Sequence, residues 1–140
     1  LFPRMCHSAA DEALWAEDPL EYVRSKLDFF DDYYSPATAA SNLVLELVKT
    51  RKKTVFPDLL QFISETVSEY TARSADPETQ RRMDGILYLV GSLGKVLIGA
   101  GMGAQIEGLL AGSVVPVLSS SAAPDFLRVR AAWTVEQFAG

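Results

Sequence analysis

Apolar residues recur at helical spacing along almost the whole chain. After Pro36, Ala40, Leu43, Val44, Leu47 and Val48 fall on one face of a helix. From about Thr54–Pro57 onward, Leu59, Phe62, Ile63, Val67 and Tyr70 make an apolar stripe, and Asp58, Gln61, Glu65, Ser68 and Glu69 make the opposite one, so this helix is amphipathic. Met83, Ile86, Leu87, Val90, Leu93 and Leu97 predict a longer helix. It is nearly apolar all round after Gly85, as expected of one buried on more than one side. Ile106, Leu109, Leu110, Val114 and Val117 mark a further helix, weakened near its end by Pro116. Phe126, Val129, Ala132, Trp133 and Phe138 mark a last one. Three starts carry the same signal, a capping residue followed by proline: Asp18-Pro19, Ser35-Pro36 and Asp76-Pro77. Asp11 and Glu12 suit the first turn of a short helix that ends near Glu17, and Leu1–Cys6 reads as the tail of a helix. Tyr22, Leu27 and Phe30 are the candidate buried positions of the helix that Pro19 opens.

The helices repeat. The run Arg82-Met83-Asp84-Gly85 lies 46 residues before Arg128-Val129-Arg130-Ala131, and each run leads into an apolar stretch. A further step of the same length back from Gly85 reaches Ala39. The small residue is expected where a neighbouring backbone approaches closely. A period of about 40–47 residues built from helix pairs is the HEAT/armadillo signature. The expected fold is therefore all-α, a HEAT/armadillo-like superhelix of helical hairpins. The expected division is the end of a repeat plus a connector helix at 1–34, one repeat at 35–73, a second at 76–118, and the first helix of the next at 123–140. Stacked units of this kind bury each other's apolar faces, so repeats are expected beyond Leu1 and Gly140.

Charge narrows the partners. The 140 residues carry a formal net charge of -5, and phosphate binding needs clustered Lys and Arg, so no direct nucleic-acid contact is expected. The acids concentrate in residues 11–32, interleaved with Trp15, Tyr22, Phe29 and Phe30. These aromatics are expected to pack onto neighbouring repeats while the acids stay wet. Lys49, Arg51, Lys52 and Lys53 cluster where one helix ends. Favourable placement at the negative end of the helix dipole is preferred there over a localisation signal. The apolar stretch from Gly85 to Gly101 is interrupted by Ser92, Gly94 and Lys95, so no membrane span is expected. The single cysteine, Cys6, excludes an internal disulfide and reads as a small buried apolar residue.

Chemistry for catalysis is sparse. His7 is the one histidine, which leaves little for a catalytic triad or a metal cluster. No carboxylate spacing marks a two-acid site. Gly99-Ala100-Gly101-Met102-Gly103 lacks the preceding strand that a phosphate-cradling loop requires, and it reads as a turn between antiparallel helices. Neither enzymatic activity nor a cofactor or metal is expected.

The stretch Leu14–Ala40, LWAEDPLEYVRSKLDFFDDYYSPATAA, closely resembles a mid-chain segment of the importin-seven/eight branch of the importin-beta (karyopherin) superfamily. That branch carries a similar Leu-Trp-Glu-Glu-Asp-Pro-Tyr-Glu-Tyr-Ile-Arg motif, then a Phe/Asp-rich run and Ser-Pro-Thr-Thr-Ala-Ala. Residues 83–93 resemble its Asp-Gly-Ala-Leu-x-x-Ile-Gly-Ser-Leu, and residues 127–133 its Met-Arg-Ala-Arg-Ala-Cys-Trp; residues 54–79 match more weakly. The Glu-Asp-x-x-Glu-Tyr-Ile-Arg core also occurs in the CAS-type exportin, but the Ser-Pro-Ala-Thr-Ala-Ala continuation favours the importin branch.

The resemblance implies a receptor that shuttles between cytoplasm and nucleus through the nuclear pore. It implies contacts with nucleoporins, carriage of basic cargo proteins, and cargo release on binding the GTP-bound small GTPase Ran through regions outside this chain. A CAS-type exportin and a general HEAT scaffold for protein–protein interaction are the alternatives. The second helix of each pair usually lines the concave face of such a superhelix, here roughly 55–72 and 103–118. Asp58, Gln61, Glu65 and Glu69 are accordingly the candidate partner-binding residues, with solubility as the competing role for the same acids.

Overall fold

A computed structural model describes residues 1–27, 35–99, 101 and 103–139. Among the described residues, eight α-helices follow one another: α1 (Ala9–Glu17), α2 (Pro19–Leu27), α3 (Pro36–Thr50), α4 (Lys52–Ala72), α5 (Pro77–Gly99), α6 (Gly103–Leu109), α7 (Val115–Ser119) and α8 (Asp125–Ala139). A 3-10 turn, Phe2–Arg4, precedes α1, and a π-helical segment, Leu110–Val114, joins α6 to α7. No strand occurs among the described residues. The architecture is all-α and HEAT-like, with the helices packed on one another around α5.

The starts obey local chemistry. Ser8 caps α1 by accepting from the Asp11 amide at 3.1 Å, while the Asp11 carboxylate accepts from the Ser8 amide at 2.8 Å, a reciprocal capping box. Asp18 accepts from the Glu21 amide at 3.1 Å, Ser35 from the Thr38 amide at 3.0 Å and Asp76 from the Thr79 amide at 3.1 Å. Each of these sits just before the proline that opens its helix.

Two boundaries differ from expectation. α4 begins at Lys52, upstream of Thr54, and carries Pro57 inside it. Pro57 lies one turn in, so only the bond to the Lys53 carbonyl is forgone, and that carbonyl lies on an exposed residue. The long helix marked by Ile106 to Val117 is continuous but widened over Leu110–Val114. Pro116 cannot donate to the Gly112 carbonyl and would crowd it. The wider turn, with the Val115 amide bonded to the Leu110 carbonyl, accommodates the ring.

α5 is the centre of the core. Met83, Ile86, Leu87, Val90, Leu93 and Leu97 are all buried, and so are Tyr88 and Leu89 between them. α4 supplies Phe56, Ile63 and Tyr70 to the core, and α6, the π-helical segment and α7 supply Ile106, Val114 and Val117. On α3 the core takes Ala40 and Val48, while Leu43 and Leu47 remain exposed on the outer edge of the stripe.

The face that α8 presents to the core is shifted from expectation. Leu127, Arg130, Ala131 and Thr134 are buried, Phe126, Val129, Trp133 and Phe138 are half-buried, and Ala132 is exposed. Two polar residues therefore face inward, and each bonds to α5. Arg130 Nε donates to Asp84 Oδ1 at 3.2 Å, and Thr134 Oγ1 donates to the Leu87 carbonyl at 2.9 Å. These partners are 46 and 47 residues apart, so the sequence repeat is the register in which α5 and α8 touch.

Glycines permit the approach. A Cβ on Gly91 would lie 2.5 Å from Trp133 Cζ3, and one on Gly94 3.0 Å from Phe138 Cε1. Gly85 is also a close contact, with Cys6 Cα 3.2 Å from its would-be Cβ, but its neighbour is the N-terminal segment rather than a repeat helix. Ala39, the third small position in the spacing, is exposed.

The first eight residues are a strap rather than a helix tail. Phe2 packs edge-on against Phe62 of α4, with ring centroids 4.8 Å apart. Cys6 lies on Gly85 of α5, and His7 stacks on Phe126 of α8 at 3.9 Å. Cys6 is half-buried, and burial first, then the charge of Asp84, pushes its thiol up to about 11, so the thiolate is scarce at neutral pH. Trp15 packs edge-on to the buried Tyr22 at 5.1 Å. Phe29, Phe30, Asp28, Asp31 and Asp32 lie outside the described residues, as does the side chain of Leu27. Among the other acids of this region, Asp11 pairs with Lys26 at 2.8 Å, Glu12 with Arg81 of α5, and Glu21 with Arg24 at 2.6 Å.

Candidate functional site

The acidic stripe of α4 forms as its spacing predicts. Residues separated by three or four share a face of a helix, and Asp58, Gln61, Glu65 and Glu69 are all exposed, opposite the buried Ile63, Thr66 and Tyr70. Gln61 Nε2 donates to Glu65 Oε1 at 2.8 Å. That bond orders the middle of the stripe and leaves the carboxylate its charge. Glu69 is different, because its Oε2 accepts from Arg82 Nη1 of α5 at 2.6 Å. The stripe is thus a row of two acids without an ion pair among the described residues, Asp58 and Glu65, and a third acid that also ties α4 to α5. With the half-exposed side chains of Glu69 and Arg82, the pair contributes at most a fraction of a kcal/mol, about 0.2–1.

A second polar cluster is interior. Asp84 and Arg130 are both almost wholly enclosed, and the Arg130 guanidinium lies 5.0 Å from the Tyr88 ring centroid and 5.2 Å from that of Trp133. Burial pushes the Asp84 carboxyl above its ordinary range, with the Arg130 charge opposing. His7 Nδ1 and the Tyr22 hydroxyl are hydrogen-bonded at 3.1 Å. Burial lowers the His7 pKa below 6.5, opposed chiefly by the charge of Asp84, and it raises the Tyr22 hydroxyl. His7 Nε2 and Arg130 Nη1 are buried without partners. The cluster holds a histidine, a carboxyl and a guanidinium, and Arg130 borders a hollow also lined by Cys6, Ser8 and Tyr88, where the raised Cys6 thiol is a poor nucleophile at neutral pH. Its geometry is that of a structural lock between the strap, α2, α5 and α8. No group of three or more His, Cys, Asp or Glu among the described residues is placed to hold a metal ion. None of the described helices is long and apolar enough to cross a membrane.

No family model and no solved structure matches the chain. Curated relatives do. An importin beta-like SAD2 homolog of Arabidopsis thaliana is 39% identical over 99% of the chain, and importin-8 of Danio rerio is likewise 39% identical over 99%. The chain belongs to the importin-beta family. Human importin-8 is 37% identical over the same share, and a probable importin-7 homolog of Dictyostelium discoideum is 26% identical. The chain spans about 13% of the length of the curated relatives it matches.

Within this importin segment, the acidic stripe was legible from the helical period. The interior lock was not, although its charged pair, Asp84 and Arg130, lies in the two stretches that show the 46-residue spacing. A signal existed there: Asp84 and Arg130 occupy equivalent places in the two runs with opposite charge.

Proposed function

We propose that this chain is a piece of the helical wall of a nuclear transport receptor that carries protein cargo through the nuclear pore and discharges it on binding Ran-GTP. The observation that carries the reading is the continuous identity to importin-8-type relatives over 99% of the chain. Supporting it is the stacking of α5 on α8 at the repeat spacing, the construction a solenoid requires. Residues 35–73 and 76–118 act as two helical-hairpin repeats. Residues 123–140 open the next, and 1–34 are the end of a repeat plus a connector helix. The receptor works by binding rather than catalysis, shuttles between cytoplasm and nucleus, touches nucleoporins, and meets Ran through repeats other than these.

In this reading Asp58, Gln61, Glu65 and Glu69 offer a cargo-facing acidic row on the second helix of a pair. Exposed acids contribute little individually, but several in a row steer basic partners and raise association rates. The direct experiment uses the full receptor. Asp58→Lys and Glu65→Lys, which leave the Glu69–Arg82 pair intact, weaken binding of a basic cargo such as a histone at physiological salt, chiefly through a slower on-rate. Unchanged association kinetics would exclude this face. Adding Ran-GTP to the cargo complex releases the cargo; a complex that instead forms only with Ran-GTP would mark an exportin of the CAS type.

A further inference from the structure

The corner between α3 and α4 is built against the usual electrostatics of helices. One residue, Arg51, separates the two helices, so Lys52 and Lys53 become the first residues of α4, at the positive end of its dipole. No acid occupies the first turn of α4, and Arg51 makes no side-chain cap. Lys49, in the last turn of α3, pairs with Glu46 at 3.3 Å. Arg51, Lys52 and Lys53 are exposed and form no ion pair among the described residues. In a chain of net charge -5 this is a concentrated patch of the opposite sign.

Beside the patch lies a hollow of about 250 Å³. Its floor is apolar: Val48 of α3, Phe56 of α4, and Val96 and Leu97 of α5. Lys49 and Lys52 stand at its rim, and Gly99, the last residue of α5, closes one end. The hollow is smaller than the roughly 300–1,000 Å³ of sites that enclose a whole small molecule. It is the size for one or two side chains. The Thr54 and Val55 amides at the start of α4 already bond the Arg51 carbonyl, at 3.0 and 2.9 Å, so the positive character of this corner comes from its side chains.

We propose that this groove docks an acidic peptide segment carrying one large apolar anchor, the anchor seated between Phe56 and Leu97 and the flanking carboxylates on Lys52 and Lys53. Charge complementarity selects this occupant: a basic segment would be repelled by the rim, and a purely apolar one would leave the cations unanswered. The site is on the opposite charge from the acidic stripe of α4 and does not depend on that stripe's role.

The test is fluorescence anisotropy on the 140-residue chain with a fluorescein-labelled peptide holding a single phenylalanine between short runs of glutamate. The expected result is saturable binding that weakens as salt is raised. Replacing the phenylalanine by alanine, or the glutamates by lysines, abolishes it. Lys52→Glu with Lys53→Glu weakens it by about tenfold or more. Gly99→Leu fills the groove and also weakens it; a Cβ there meets nothing within 4 Å, and circular dichroism verifies that the fold is kept. The proposal is overturned by absence of binding at low salt, by equal binding of the alanine or lysine peptides, or by equal binding of a peptide with serines in place of the glutamates. Insensitivity to Gly99→Leu would overturn it too, as would concentration-dependent self-association that Gly99→Leu removes, which would assign the groove to a second copy of the chain.

Discussion

Replacing Asp84 tests whether an interior ion pair holds α5 and α8 together. Arg130 is 5% exposed and Asp84 1% exposed, and their one contact is the 3.2 Å bond from Nε to Oδ1. Arginine does not lose its proton in a protein. Asp84→Asn therefore leaves a cation enclosed with no counter-charge and with Nη1 already unpartnered. Removing one member of a buried pair costs about 3–5 kcal/mol. The pair makes a single contact, and the Tyr88 and Trp133 ring faces remain beside the guanidinium, so we place the cost near the lower end, about 3 kcal/mol. The converse, Arg130→Met, is gentler and depends on pH. The abandoned carboxyl can take up a proton, and losing the guanidinium, which opposes its upward shift, moves its folded-state value further above that of the unfolded chain. A group raised on folding favours the folded state below its unfolded pKa, and that contribution is lost as pH rises through the folded value. Arg130→Met is thus close to wild type near pH 4 and increasingly destabilised towards neutrality. Urea unfolding followed by far-UV circular dichroism at several pH values reads both. A loss below about 1 kcal/mol for Asp84→Asn, or a pH-independent loss for Arg130→Met, would refute the reasoning.

Two further outcomes follow from the same packing. His7 has its pKa lowered by burial, so its neutral form stabilises the fold above pH 6.5 and that stability is lost as pH falls through the folded value; His7→Phe removes this part of the acid sensitivity in a pH series of thermal melts. Gly91→Ala drives a methyl onto the rigid Trp133 ring and costs about 1–3 kcal/mol, while Gly108→Ala in α6 meets nothing within 4 Å and stabilises by about 0.5–1 kcal/mol, both read by urea unfolding.

Much of the molecule is a local matter, and the sequence alone determined it. Proline after a capping residue starts a helix because the proline ring pre-sets the backbone and needs no donor, so three starts were readable without any tertiary contact. The periodicity of apolar positions identified α5 as the helix enclosed on several sides, and it placed the acidic residues of α4 on one exposed face. The 46-residue spacing announced stacked units. The tertiary structure alone decided which face of α8 turns inward. Hydrophobicity favours Phe126, Val129 and Trp133, but the helix is rotated so that Arg130 and Thr134 reach Asp84 and the Leu87 carbonyl. A buried polar group on α5 without a partner costs more than leaving part of an aromatic ring in water. The course of the first eight residues was likewise beyond local reading. Nothing in their own composition says that Cys6 must lie on a bare glycine or that His7 must stack on Phe126, because those contacts exist only once α4, α5 and α8 have assembled around them.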